Sequence, residues 1–217
     1  MRLMAVMAHP DDAEIWCGGT LLLHTDRGDE VCICILSYTK DSQRGMEAQE
    51  SARQLGCQVE LLGMQDAGIR DSAEGVQRVW RCIESFKPDT IITHWHDDMH
   101  PDHEATFRLV RRAFLWNLVV KPVEKIEFFP RIFCCDSISS IGLHDRFAPD
   151  RYVDVSSVWD QKITAIKIHQ SQPLLYFLEM IDKQCLAHGR ESGKERAEGF
   201  RYLPLFGFPD NGPSLGG

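Results

Sequence analysis

A chain of 217 residues, 43% of them apolar, is long enough to bury one sizeable core and short for two full domains. Its net charge of −8, from 24 Lys and Arg against 32 Asp and Glu, argues against a surface adapted to polyanions, so nucleic acid is not an expected partner. No apolar stretch approaches membrane-spanning length, and the run Leu3 to Ala8 is too short for a secretory signal core, which leads to the expectation of a soluble, cytoplasmic protein with no transmembrane segment.

The elements follow from apolar period and punctuation. "RLMAVMA" reads as a buried strand, residues 13 to 27 as a helix stopped by Gly28, and "EVCICILSY" as the second strand. A helix over 43–55 closes at Gly56, "QVELL" is the third strand, the loop "GMQDAGIRDSAEG" follows, and a helix is expected over 76–86. "TIITHW" is the fourth strand, "HDDMHPDHEA" a polar loop, and 104–118 a helix. Four βα units in succession predict an α/β, Rossmann-like fold: a single domain with a largely parallel sheet and helices on both faces. Beyond it, "KIEFF" and "RIFCCD" flank Pro130 and suit a hairpin or two edge strands. Two helices are expected near 159–169 and 175–188. The domain is expected over 1–207, with 208–217 as a loose tail. The eight cysteines fall mostly in apolar runs and form no CxxC pair, so they read as reduced core residues rather than disulfides or a zinc site.

Two polar clusters stand at strand ends, where ligands bind in open parallel sheets. His9, Asp11 and Asp12 follow the first strand; His100, Asp102 and His103 follow the fourth. Imidazole and carboxylate together suit zinc, which in catalytic sites takes three protein ligands and leaves one position open. His9 and Asp12 can supply two ligands across the proline-stiffened turn and His103 the third, which leaves Asp11 free to act as a base. Alone, "HPDD" is as compatible with a capped helix start, and "HPDH" with a polar loop; their joint occurrence favours the site.

In order along the chain, "AHPDDAEIWCGGTL", "RGMEAQESARQLG", "DMHPDHEAT", "KIHQSQ" and "AEGF" resemble the successive motifs of the LmbE-like (PIG-L) N-acetylglucosaminyl deacetylases, from residue 8 to about residue 200. The first and third motifs are highly specific together. The resemblance implies a Zn2+-dependent enzyme that removes acetyl groups from N-acetylglucosamine units of a small amino-sugar substrate. It implies His9, Asp12 and His103 as metal ligands, Asp11 as general base, and His100 as the group that stabilises the oxyanion or assists the leaving amine. Arg44 matches an arginine near the substrate, although on its own it could equally be a surface cation. Some members carry a tyrosine where this chain has Asp98; that residue is assigned to the substrate side of the site, with orientation of His100 as the other choice. The expected mechanism has a protonated His100, whose loss of a proton sets an alkaline limb, and an ionised Asp11 that sets an acid limb.

His94 and His96 alternate at the strand end and should face opposite ways, with pocket-wall roles at best. Trp95 is expected in the core. His169 is left off the catalytic list, and "CGG" reads as close helix packing rather than a dinucleotide loop. The rival functions are an amidase acting on a larger conjugate, a magnesium-dependent phosphate-handling enzyme, and a non-catalytic sugar-binding protein. Iron instead of zinc, the aglycone, and the oligomeric state, a homo-oligomer included, are not fixed by the sequence.

Overall fold

The computed structural model describes residues 1–120, 128–205 and 215. β1 (Arg2–Met7), α1 (Asp12–Asp26), β2 (Glu30–Ser37), α2 (Gln43–Gln54), β3 (Gln58–Met64), α3 (Ala73–Phe86), β4 (Thr90–Thr93) and α4 (Pro101–Val120) form the four βα units. They are followed by β5 (Arg131–Cys135), β6 (Arg151–Asp154), α5 (Trp159–Ile166), α6 (Leu174–Ser192) and β7 (Ala197–Tyr202). The seven strands make one sheet in the order β3-β2-β1-β4-β5-β7-β6, parallel from β3 to β5 and antiparallel where β7 pairs with β5 and β6.

Strand alternation divides the core. Leu3, Ala5 and Met7 of β1 and Val31, Ile33 and Ile35 of β2 face one layer, covered by α1, α2, α5 and α6. Met4, Val6, Cys32 and Cys34 face the other, under α3 and α4. With both faces covered, the strands carry continuous apolar runs, as parallel sheets do. All eight cysteines are free, six of them buried.

The differences from the expected elements are local. α4 begins at Pro101, so His103 lies inside its first turn, and α3 begins at Ala73 under a Ser72 cap. β5 is an interior strand between β4 and β7 rather than part of a hairpin or an edge. Of "KIEFF", residues 125–127 lie outside the described residues, as does the expected tail apart from Leu215. Among the described residues no helix is long and apolar enough to cross a membrane.

α1 is held close to the far end of the sheet by a buried ion pair. Lys162 Nζ donates to Glu198 Oε1 at 2.6 Å and to the Ile15 carbonyl at 2.8 Å, while Glu198 accepts from the backbone N–H groups of Gly19 and Thr20, each at 2.8 Å. A Cβ on Gly19 would stand 2.5 Å from Val155 Cγ1 and 3.0 Å from Glu198 Oε1, which is the reason for glycine there. Gly19→Ala should therefore destabilise the fold by about 2 kcal/mol, overpacking outweighing the roughly 1 kcal/mol gained in helix propensity. A urea midpoint unchanged by the substitution would mean that α1 can simply move outward.

Candidate active site

β1 and β4 are neighbours, with Val6 paired to Thr93, so the segments that follow them leave the sheet side by side. In the β1–α1 turn, Asp11 adopts a φ of 110°, left-handed backbone that costs a non-glycine residue on the order of 1–3 kcal/mol. Its side chain makes no helix-cap bond. Instead Arg44 Nη2 donates to Asp11 Oδ1 at 3.0 Å and to the Pro10 carbonyl at 2.9 Å. Asp12 turns the other way: its Oδ2 accepts the His9 backbone N–H at 2.7 Å and pins the turn. The twisted backbone thus sends two adjacent carboxylates to different partners, one to a guanidinium and one to the histidines.

Those histidines come together. Asp12 oxygens lie 3.3 Å from His9 Nδ1, His94 Nε2 and His103 Nε2. The His103 ring is stacked between His94 at 3.8 Å and His100 at 4.5 Å, and the His9 ring centre lies 4.8 Å from that of His100 and 5.4 Å from that of His103. Three overlapping trios have donor atoms within 4.8 Å of one another: His9, His100 and His103; Asp12, His94 and His103; and His9, Asp66 and Asp102. The trio expected from the sequence, His9, Asp12 and His103, draws on the first two. Its donor chemistry fits zinc. The far nitrogens of both imidazoles are also provided for: His103 Nδ1 faces Asp98 Oδ2 at 2.9 Å, and His9 Nε2 faces Asp102 Oδ2 and Asp66 Oδ1, each at 3.2 Å. Carboxylates placed in this way fix the tautomer and aim of a metal-binding imidazole.

The electrostatics are those of a cation site. Burial works to lower the pKa of His103, yet Asp12 and Asp98 carry it up to about 10. Asp12 is held well below the usual carboxylate range: burial opposes this, but His103 and His94 prevail. Burial and the adjacent Asp12 push Asp11 up to about 7, with Arg44 pulling the other way. His94 is fully buried and accepts the Ala8 N–H on Nε2 at 2.9 Å; burial and His103 hold its pKa down at about 4, so it stays neutral.

His100 departs from expectation. Burial and the neighbouring His103 and His9 lower its pKa, which favours the neutral imidazole. Its Nδ1 accepts the backbone N–H of Asp102 at 3.2 Å, in the first turn of α4, which places the ring proton on Nε2.

Two expected substrate contacts are turned inward. Asp98 is 2% exposed, with Oδ1 accepting the His100 backbone N–H at 2.8 Å and Oδ2 against His103, leaving little of it to meet a sugar. Arg44 is committed to Asp11, donates to Tyr38 Oη at 3.1 Å and lies over the Tyr38 ring. Arg44→Ala removes the cation that favours the ionised Asp11, so the acid limb of kcat/KM should move to higher pH by about one unit. An unmoved limb with a raised KM would return Arg44 to the substrate.

His94 is buried at the site wall and His96 is exposed; residues two apart on a strand would share a face, and the two part because β4 ends at Thr93, before either of them, while Trp95 packs edge-on against Phe147 in the core. Sequence reasoning missed Asp66, which stands in the loop after β3 and is hydrogen-bonded by Tyr38 Oη. It also missed the role of Asp102 behind His9, although "HPDH" contains it. His169, 1% exposed, sits 3.4 Å from the buried Glu14, with neither ring nitrogen hydrogen-bonded.

Comparison with known proteins finds relatives of similar sequence and fold. The chain is 26% identical to the 4-oxalmesaconate hydratase of Pseudomonas putida over 80% of this chain and 74% of that one. It is also 26% identical to the diacetylchitobiose deacetylase of Thermococcus kodakarensis, over 94% and 83% of the two chains. The crystal structure of a conserved protein from Thermus thermophilus superposes with a TM-score of 0.79 at 27% identity, covering 97% of this chain and 99% of that one. Residues 4–114, which hold the β1–α1 turn, β4 and the start of α4 with the histidines between, match the description of PIG-L, GlcNAc-PI de-N-acetylase, and the chain belongs to that family.

Proposed function

We propose that this protein is a zinc-dependent hydrolase that removes the N-acetyl group from an N-acetylglucosamine-containing molecule, giving acetate and the free amino sugar. The observation that carries the reading is the divergence of Asp11 and Asp12: one carboxylate lies among imidazoles, the other is buried beside them and held by Arg44. A binding protein has no use for the second.

His9, Asp12 and His103 would hold the ion, with Asp98 and Asp102 aiming the two rings. Zinc would supply Lewis acidity toward the acetamide carbonyl and toward a water molecule. Asp11 Oδ1 is engaged by Arg44, which leaves Oδ2 to take the proton of the attacking water. His100, neutral, donates its Nε2 proton as a hydrogen bond to the oxyanion as the carbonyl carbon becomes tetrahedral; one such donor in a site closed to water is worth about 3 kcal/mol of barrier. Asp11 then returns its proton to the departing nitrogen. His94, its pKa held low by burial, would add no positive charge to the site.

Imidazole donors favour zinc over magnesium, so the phosphate-handling rival loses its support. An amidase acting on a larger conjugate would share every step above. A second reading comes from the hydratase in Pseudomonas putida, which resembles this chain as closely as the deacetylase does. Adding water to a carbon–carbon double bond would likewise use an activated water and a base. The test incubates zinc-loaded protein with a panel of N-acetylglucosaminyl compounds, with longer N-acyl analogues and with unsaturated dicarboxylic acids, using Asp11→Asn as control. Release of free amine from the acetyl compounds is the expected result. Preference for longer acyl groups would favour the amidase, and loss of the conjugated chromophore without amine release would favour the hydratase.

A further inference from the structure

A groove of about 620 Å³ runs between one face of α6, carrying Tyr176, Lys183 and His188, and the segment 139–149 that follows β5. Its size is that of a small-ligand site, and none of the catalytic groups lines it.

The fold sets the groove beside those groups. β5 pairs in parallel with β4, Thr93 opposite Cys134, so the segment that begins at Asp136 leaves the sheet beside the one that carries His94. The segment is laced to the residues that precede His100: Asp98 and Gly142 form a β-bridge, Leu143 N–H donates to the Asp97 carbonyl at 2.8 Å, and the N–H groups of His144 and Asp145 donate to Asp97 Oδ2 at 3.0 and 2.9 Å. At its inner end, Gln184 and His188 also line a small cavity against Ile15 and Trp16, in the first turns of α1 after Asp12.

The wall is built rather than draped. Asp136 Oδ2 faces His188 Nε2 at 2.7 Å and accepts from Ser140 Oγ at 2.8 Å and Gln184 Nε2 at 3.0 Å. That hub holds Ser139 and Ser140 at φ values of 56° and 54°, where side chains other than glycine's are seldom kept without cause. The charges along the groove are mostly spent. Lys183 pairs with Glu179 at 2.6 Å, and Glu191 accepts from Tyr152 Oη at 2.9 Å. Arg146 makes no ion pair or side-chain hydrogen bond with the described residues, and the Tyr176 ring is 53% exposed.

We infer that this groove receives the group attached to the amino sugar, and that Arg146 binds a carboxylate or phosphate on that group. The inference rests on the deacetylase reading and adds to it the acidic aglycone. A planar guanidinium takes either anion through two parallel bonds, and Tyr176 offers a flat face to the linker between sugar and acid.

The test uses the 4-carboxyphenyl, 4-phosphonooxyphenyl and 4-(hydroxymethyl)phenyl glycosides of N-acetylglucosamine, both anomers of each. Binding is measured by calorimetry on zinc-loaded Asp11→Asn, so that no turnover intervenes, and amine release is measured on the protein with Asp11 intact. At least one acidic glycoside should bind on the order of tenfold more tightly than the neutral one. Whichever acid gains more identifies the anion as carboxylate or phosphate. Adding Arg146→Ala should bring that ratio to about one, and Arg146→Lys should restore part of it. Amine release without any Arg146-dependent preference overturns the groove assignment and spares the deacetylase reading. Arg146-dependent binding without amine release from any glycoside overturns the deacetylase reading. Absence of both overturns the two together.

Discussion

Asp11→Asn should lower kcat by a factor on the order of 1000 while leaving zinc bound, read from amine release and metal content on the same preparation. The amide keeps the size and the hydrogen bond to Arg44 but cannot take a proton from water. Because Asp11 lies on the Arg44 side of the turn and Asp12 on the histidine side, the change removes the base without touching the proposed ligands. The fold should also be spared, since burial and Asp12 already disfavour the charge that the substitution deletes. Full activity in this variant would remove Asp11 from the chemistry, and loss of zinc would make it a ligand.

His103→Ala is expected to abolish stable zinc binding. His103 belongs to two of the donor trios, as His9 does, and it stands between Asp12 and Asp98. Deleting it strips two buried carboxylates of their partner, which costs stability on the order of 3–5 kcal/mol as well as metal. Asp98 separates those effects. Asp98→Asn keeps an acceptor for the His103 N–H, and Asp98→Ala removes it, so zinc affinity measured against a competing chelator should fall only slightly in the first and by about 10–100-fold in the second. Unchanged affinity in Asp98→Ala with a raised KM would put Asp98 at the substrate after all.

The first four βα units could be read from the sequence because each carries its own punctuation: Gly28 and Gly56 end helices, and buried parallel strands are continuous apolar runs. β6 and β7 could not. "RYVD" is four residues with charged ends, and "AEGFRY" places a glutamate in a buried strand, sensible only once Lys162 arrives from α5 to meet it. The two halves of the site were legible as motifs whose parts are close in sequence. Asp66, Tyr38 and the Glu14–His169 contact have no local signature, since each reaches the site through packing of a separate loop or helix. The same holds for protonation: "HPDH" names His100, but the lowering of its pKa comes from burial and the crowd of imidazoles, which only the assembled fold supplies.

The central claim is a single ion held from two distant segments with an unligated acid beside it. Anomalous scattering at the zinc edge from crystals of zinc-loaded protein tests it most directly. The account predicts one strong peak bonded to His9 Nδ1, an Asp12 oxygen and His103 Nε2, with Asp11 outside the coordination sphere. A peak seated instead between Asp66 and Asp102, or one that takes Asp11 as a ligand, would contradict it.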